Sequence, residues 1–204
     1  MSKLTEKFKQ QIEELIAHIE QKSCLEIVPV IIQRSSDYLA WRFFLSLMAG
    51  IICLFICFFM ATWGIQVTHW LLSLAVTITF WFLLFWSPLL RLLLPRRISQ
   101  EVVQDEAAQW FLREEVFNTK NRTGLLIFIS EFERSAFILA DKGLLKVLPE
   151  SRWALLGKQL ADDFSQMSAG ESFLKALEEI DRELSSHFPF AGDDKNELSN
   201  RVRG

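Results

Sequence analysis

Cysteine and glycine are scarce in this 204-residue chain, at three and eight residues. Two of the cysteines, Cys53 and Cys57, lie inside an apolar run and Cys24 opens a strand-like segment. Neither a disulfide framework nor zinc-ligand spacing is present, and all three read as small buried hydrophobes. With so little glycine, a phosphate cradle of backbone amides is disfavoured. No P-loop, Gly-x-Gly-x-x-Gly, Gly-x-Ser-x-Gly elbow or Cys/His pair occurs. The opening residues carry Lys3, Glu6, Lys7, Lys9, Glu13 and Glu14 without an apolar core, so no cleavable signal peptide is expected. Basic residues are not in excess either: the net charge is −3, which speaks against a nucleic-acid partner.

What the chain has in abundance is apolar sequence. Half of its residues are hydrophobic, and the excess is concentrated in one stretch. Phe43 to Ile65 and Trp70 to Leu90 contain no Asp, Glu, Lys, Arg or His. Each is long enough to cross a hydrocarbon layer of about 30 Å. Buried core helices of that length rarely come in pairs, so the stretch reads as a transmembrane hairpin, with spans at about 43–65 and 70–92. Gln66 to His69 allows only a tight turn. Trp63 and Trp70 flank it and Trp86 sits near the far end, as expected of aromatic side chains at a bilayer interface. Arg34 and Arg42 precede the first span, Arg91, Arg96 and Arg97 follow the second, and the turn has no Lys or Arg. Basic residues collect on the cytoplasmic side, so both termini are expected there, with Arg91 snorkelling to the headgroups. Pro88 is expected to kink the second span. Ser46 and Gly50, four residues apart, offer a seat for close helix packing. No charge falls at mid-membrane depth, which favours an anchor over an ion path.

The flanking sequence is patterned differently. Leu4, Phe8, Ile12, Leu15, Ile16 and Ile19 recur at helical spacing, and Leu25 to Ile32 reads as a strand in which Pro29 suits an edge or a bulge. Beyond the apolar stretch, Val103, Ala107, Trp110, Phe111 and Phe117 mark a helix starting near Ser99. Leu125–Ile129 and Ala136–Ala140 are apolar runs separated by a polar turn at Glu131 to Arg134, as in adjacent buried strands. A helix from Ser151 to Gln166 presents Ala154, Leu155, Leu160 and Phe164. Another opens with the capping box Ser168-x-x-Glu171 and carries Phe173, Leu174, Leu177, Ile180 and Leu184. Residues 191–204 read as a loose polar tail. One strand before the apolar stretch leaves its backbone groups unpaired, and the available strands lie beyond it. Residues 1–42 and 95–190 are therefore expected to fold together as one α/β unit, interrupted by a hairpin at 43–94.

Three stretches carry a resemblance: Ile16–Glu20 followed by Leu25–Val30; Thr123–Ile129; and Ala140-Asp141-Lys142-Gly143-Leu144 with Trp153, His187-Phe188-Pro189 and Asn196-Glu197-Leu198. Together they resemble the TPM domain family, in a membrane-anchored bacterial branch often encoded beside LemA-type proteins. The resemblance implies a small α/β/α sandwich in a bacterial inner-membrane protein. Some members are metal-dependent acid phosphatases or calcium binders; others are assembly or maintenance factors for membrane complexes. The chain departs from the family's D-R-K…E-x-G-Y-G-L stretch with Glu133-Arg134-Ser135 and Leu139 to Leu144, and its charge pattern places the domain inside the cytoplasm. Both departures weaken the transfer of phosphatase activity.

The candidate chemistry is sparse. Asp141, after an apolar strand, is either a turn residue, with Gly143 in a left-handed conformation, or a metal ligand or general acid. Asp37 is a second metal candidate, or a solvated linker residue. Glu131 and Glu133 read as a solvated turn, and Asp162–Asp163 point apart on a helix. His18 sits on a polar helix face, His69 in the hairpin turn, and His187 before Phe188. The sequence favours a non-catalytic factor that binds another membrane protein or complex. The alternative is a membrane-tethered phosphatase using calcium or magnesium. Self-association through the hairpin is a third reading.

Overall fold

The computed structural model describes residues 6–62, 69–85, 87–184 and 198–203. Two compact units divide the chain, one formed by residues 1–35 and 99–204 and the other by residues 36–98.

The first unit is built on a three-stranded sheet of β1 (Glu26–Ile32), β2 (Gly124–Ser130) and β3 (Ser135–Ala140), in that order. β1 and β2 run parallel, in register from Glu26 opposite Gly124 to Ile32 opposite Ser130. A parallel pair requires a long crossover, and here that crossover contains the whole second unit. β3 returns antiparallel to β2 after the turn at Glu131 to Arg134, where Arg134 has φ 47°.

Alternation along the strands supplies the layers. Ile27, Ile31, Leu125, Ile127, Ile129 and Ile138 share one core with α1 (Glu6–Lys22), α7 (Glu150–Gln166) and α8 (Ala169–Leu184). Val28, Val30, Leu126 and Phe128 share another with Val103 and Ala107 of α5 (Arg96–Arg113). Helices thus cover both faces, and each fully buried side chain of this size contributes about 1.5–3 kcal/mol. Pro29 lies in the outer strand, as expected, and its carbonyl accepts the Arg203 N–H at 3.1 Å.

Two readings of this unit are corrected. Residues 198–203 are not a loose tail: Arg203 forms a parallel bridge with Val30, and its carbonyl accepts the Ile31 N–H at 2.8 Å. A polar composition hid this, because the segment docks through its backbone. In α7 the inward residues are Trp153, Leu156, Gly157 and Leu160, whereas Ala154 and Leu155 face outward. The helix comes close to the sheet at Gly157, where an added Cβ would lie 3.3 Å from the Ile138 nitrogen. A glycine on the buried face is invisible to a search for large apolar side chains.

The second unit holds α2 (Leu39–Thr62), α3 (His69–Leu83) and α4 (Ser87–Leu93). Among the described residues α2 is the one helix long and apolar enough to cross a membrane; its 24 residues span about 36 Å. The expected second span is not one continuous helix. α3 has 15 residues, or about 22 Å, and the helix restarts at Ser87. Pro88 sits in the first turn of α4, where its missing N–H leaves no helical bond unmade, rather than kinking a helix interior. Ser46 and Gly50 are buried where α2 meets α3. The Ser73 hydroxyl donates to the Gly50 carbonyl at 3.0 Å, and a Cβ on Gly50 would stand 2.0 Å from Thr77 Oγ1. Large apolar side chains cover the outside of this unit, with Phe55 76% and Phe58 71% exposed.

Candidate functional site

Asp141 closes β3, but β3 is antiparallel, so its carboxyl end lies beside the amino end of β2: the Asp141 N–H donates to the Gly124 carbonyl at 2.9 Å. This is the opposite end of the sheet from the carboxyl ends of the parallel strands, where ligands gather in α/β folds. The Asp141 side chain is buried and caps the short helix α6 (Lys142–Leu145), its Oδ1 accepting the Lys142 N–H at 2.7 Å. Its Oδ2 is 2.8 Å from Arg122 Nε as an ion pair. Arg122 has φ 58°, and its carbonyl accepts the Gly143 N–H at 2.9 Å. The left-handed residue of this corner is therefore Arg122, not Gly143. Glycine is needed at 143 for room instead: a Cβ there would lie 2.4 Å from the Arg122 carbonyl oxygen.

Asp37 is exposed and belongs to the other unit. No group of three His, Cys, Asp or Glu side chains able to hold a metal occurs among the described residues. His18 is exposed on α1, and Lys175 pairs with Asp163 at 2.7 Å.

The carboxyl ends of β1 and β2 hold a cluster that sequence reading missed. Glu133 is buried rather than solvated, and its carboxylate accepts the Ser35 N–H at 3.2 Å and the Ser130 hydroxyl. The Ser35 and Ser130 hydroxyls are 3.0 Å apart. Glu131 and Phe132 extend the ladder, their N–H groups donating at 2.9 Å to the carbonyls of Ile32 and Gln33. Arg34 lies 4.2 Å over the Phe132 ring. Burial pushes the half-buried Glu131 carboxyl above the usual carboxylate range. The turn is thereby clamped to the chain leaving β1. Ser35 and Glu133 are 98 positions apart, so no local pattern could have signalled their meeting.

Of the residues expected at a membrane interface, Trp63 lies outside the described residues and so does the Trp70 side chain, although Trp70 is within α3. Arg42 is buried in the second unit, its guanidinium 4.7 Å over the Phe85 ring. Arg91, Arg96 and Arg97 are exposed. Trp86 and His187 also fall outside the described residues.

The family model for the TPM domain matches residues 90–183. This segment is similar to the TPM domain. The match begins in α4 and ends in α8, taking in β2 and β3 but not α1 or β1. A solved structure, the NMR structure of BA42 protein from the psychrophilic bacterium Bizionia argentinensis, is similar over 100% of this chain and 99% of its own. Its TM-score is 0.60 at 19% identity, which speaks to fold alone. No curated protein matches. β1, from outside the matched segment, is a full partner of the sheet.

Proposed function

We propose that this chain is an integral bacterial inner-membrane protein whose TPM domain binds another membrane protein and serves in assembling or maintaining membrane complexes. The observation that carries the reading is the seam at β1 and β2: strands from either side of an apolar unit pair in register over their full length. A chain that leaves a sheet, runs through a largely apolar helix of 24 residues and returns to that sheet must bring both ends of the insertion back to one side. That supports two passes, with α2 as one and α3 followed by α4 as the other. The Arg residues at both ends of the insertion support a cytoplasmic TPM domain. The exposed Phe side chains of α2 suit lipid.

A binding role is favoured over the alternative, a calcium- or magnesium-dependent phosphatase, by what Asp141 does. Its carboxylate is committed to Arg122 and to the cap of α6, and a ligand role would require it to leave both. Purification of the full chain in mild detergent, followed by identification of co-purifying proteins, tests the proposal alongside phosphomonoester turnover with added magnesium or calcium. A defined partner without turnover is expected. Metal-dependent turnover that disappears in Asp141→Ala and Asp37→Ala would overturn it in favour of the enzyme.

A further inference from the structure

The outer edge of β1 carries an occupant of an unusual kind. A free strand edge exposes a row of unpaired N–H and C=O groups and recruits other extended segments. Here Arg203 occupies it at Val30, and the residues leading to it from Leu198 are held by glutamate side chains. Arg203 exchanges hydrogen bonds with Pro29 and Ile31 at 3.1 and 2.8 Å. Three glutamates reach to the same segment: Glu26 accepts the Leu198 N–H at 3.1 Å, Glu13 accepts the Val202 N–H at 3.0 Å, and Glu20 accepts from the Asn200 side chain. Glu114 forms an ion pair with Arg203 Nε. Ser199 and Arg201 are exposed, while Leu198 and Val202, four residues apart, pack against the two opposite cores of the sheet, so the segment twists between them rather than running as a regular strand.

We propose that this edge is a β-addition site for an extended, basic segment of a partner protein, and that Leu198–Arg203 is its intramolecular occupant. Carboxylates aimed at N–H groups recognise a backbone path rather than a sequence, so another segment on that path makes the same bonds. Glu114 adds the selection for a basic side chain, and the Leu198 and Val202 contacts add selection for apolar side chains four positions apart. The occupant is suited to exchange: a single bridge residue joins it to the sheet, and such lightly anchored segments open without global unfolding. Thirteen residues separate Leu184, the end of α8, from Leu198. A tether of that length keeps the segment at high effective concentration, so the external segment must bind well to displace it.

The inference supplies a surface for the partner-binding reading and depends on that reading for the partner alone. A labelled synthetic peptide of residues 198–204 reads the edge by itself, so its failure leaves the co-purification result untouched, and the reverse also holds. The purified full chain is compared with its Leu198→Asp/Arg203→Ala variant, in which the occupant is weakened and the edge is intact. The peptide is expected to bind the variant at least about tenfold more tightly than the wild type, and adding Glu114→Gln is expected to weaken that binding about tenfold. In the wild type, hydrogen exchange at the Val202 and Arg203 amides is expected to be at least about tenfold faster than at Ile127 and Phe128. Equal binding to both chains, or no binding by a variant whose tail amides are unprotected, overturns the proposal. So does tail protection as strong as that of β2, a comparison that decides the matter even where the variant fails to fold.

Discussion

Glu20 makes the stability of the first unit sensitive to pH in a direction opposite to that of most carboxylates. Its side chain is buried at the end of α1, with Oε1 accepting the Ile27 N–H at 3.0 Å and Oε2 accepting from Asn200. Burial raises its pKa to about 8 from a normal 4.5, with the neighbouring Glu26 charge adding to the rise and the Ile27 and Asn200 hydrogen bonds opposing it. The carboxyl is therefore protonated in the folded chain at neutral pH and ionised in the unfolded one. Between pH 4.5 and about 8 the folded state holds the extra proton, so its stability falls as pH rises through that window. Each pH unit crossed in that window removes about 1.4 kcal/mol, and the full loss is roughly 5 kcal/mol. Glu20→Gln replaces the protonated acid with a neutral group of the same shape that still accepts from Ile27. Urea unfolding of both chains at intervals from pH 5 to 9 is expected to show the wild type losing about 4 kcal/mol relative to the variant. Parallel curves across that range would refute the reasoning, because they would mean that Glu20 titrates alike in both states.

Three further substitutions probe other joints. Gly124→Ala places a Cβ 1.9 Å from the Val116 carbonyl oxygen, a backbone atom that cannot swing aside, and is expected to destabilise the first unit by about 3 kcal/mol in the same unfolding assay. Gly50→Ala meets Thr77 Oγ1 at 2.0 Å and is expected to separate α2 from α3, seen as lost crosslinking between cysteines introduced at Phe43 and Trp81, whose rings lie 4.2 Å apart. Asp141→Ala removes the α6 cap and the Arg122 pair and is expected to reduce stability by about 2 kcal/mol, leaving calcium and magnesium titration heats unchanged.

Local pattern carried most of the fold. The apolar runs at Leu25–Ile32, Leu125–Ile129 and Ala136–Ala140 became the three strands, and Ser168 and Glu171 form their expected capping box, with the Ser168 N–H donating to Glu171 Oε2 at 3.0 Å. Even the pairing across the apolar insertion was legible, because one upstream strand needs downstream neighbours. Less was legible wherever position along the chain says nothing about the far partner. Asp141 looked like a residue at a ligand-binding end because strand direction is not written in the run Ala136–Ala140; antiparallel pairing moved it to the other end. Glu133 looked solvated because its donor Ser35 is remote in sequence. The segment 198–203 looked loose because what anchors it is backbone and three distant glutamates. A helix restart at Ser87 was hidden because Phe85 and Trp86 are as apolar as the residues around them.

In the proposed topology the chain leaves its sheet after β1, passes through lipid twice and returns to pair β2 with β1. Impermeant-thiol labelling in sealed inverted inner-membrane vesicles, with single cysteines placed at Lys120, Gln66 and Gly204 in a background freed of Cys24, Cys53 and Cys57, tests it most directly. The account predicts labelling at 120 and 204 from the cytoplasmic face and at 66 only after the vesicles are opened. Labelling of 66 together with 120 on one face, or of 120 and 204 on opposite faces, would contradict it.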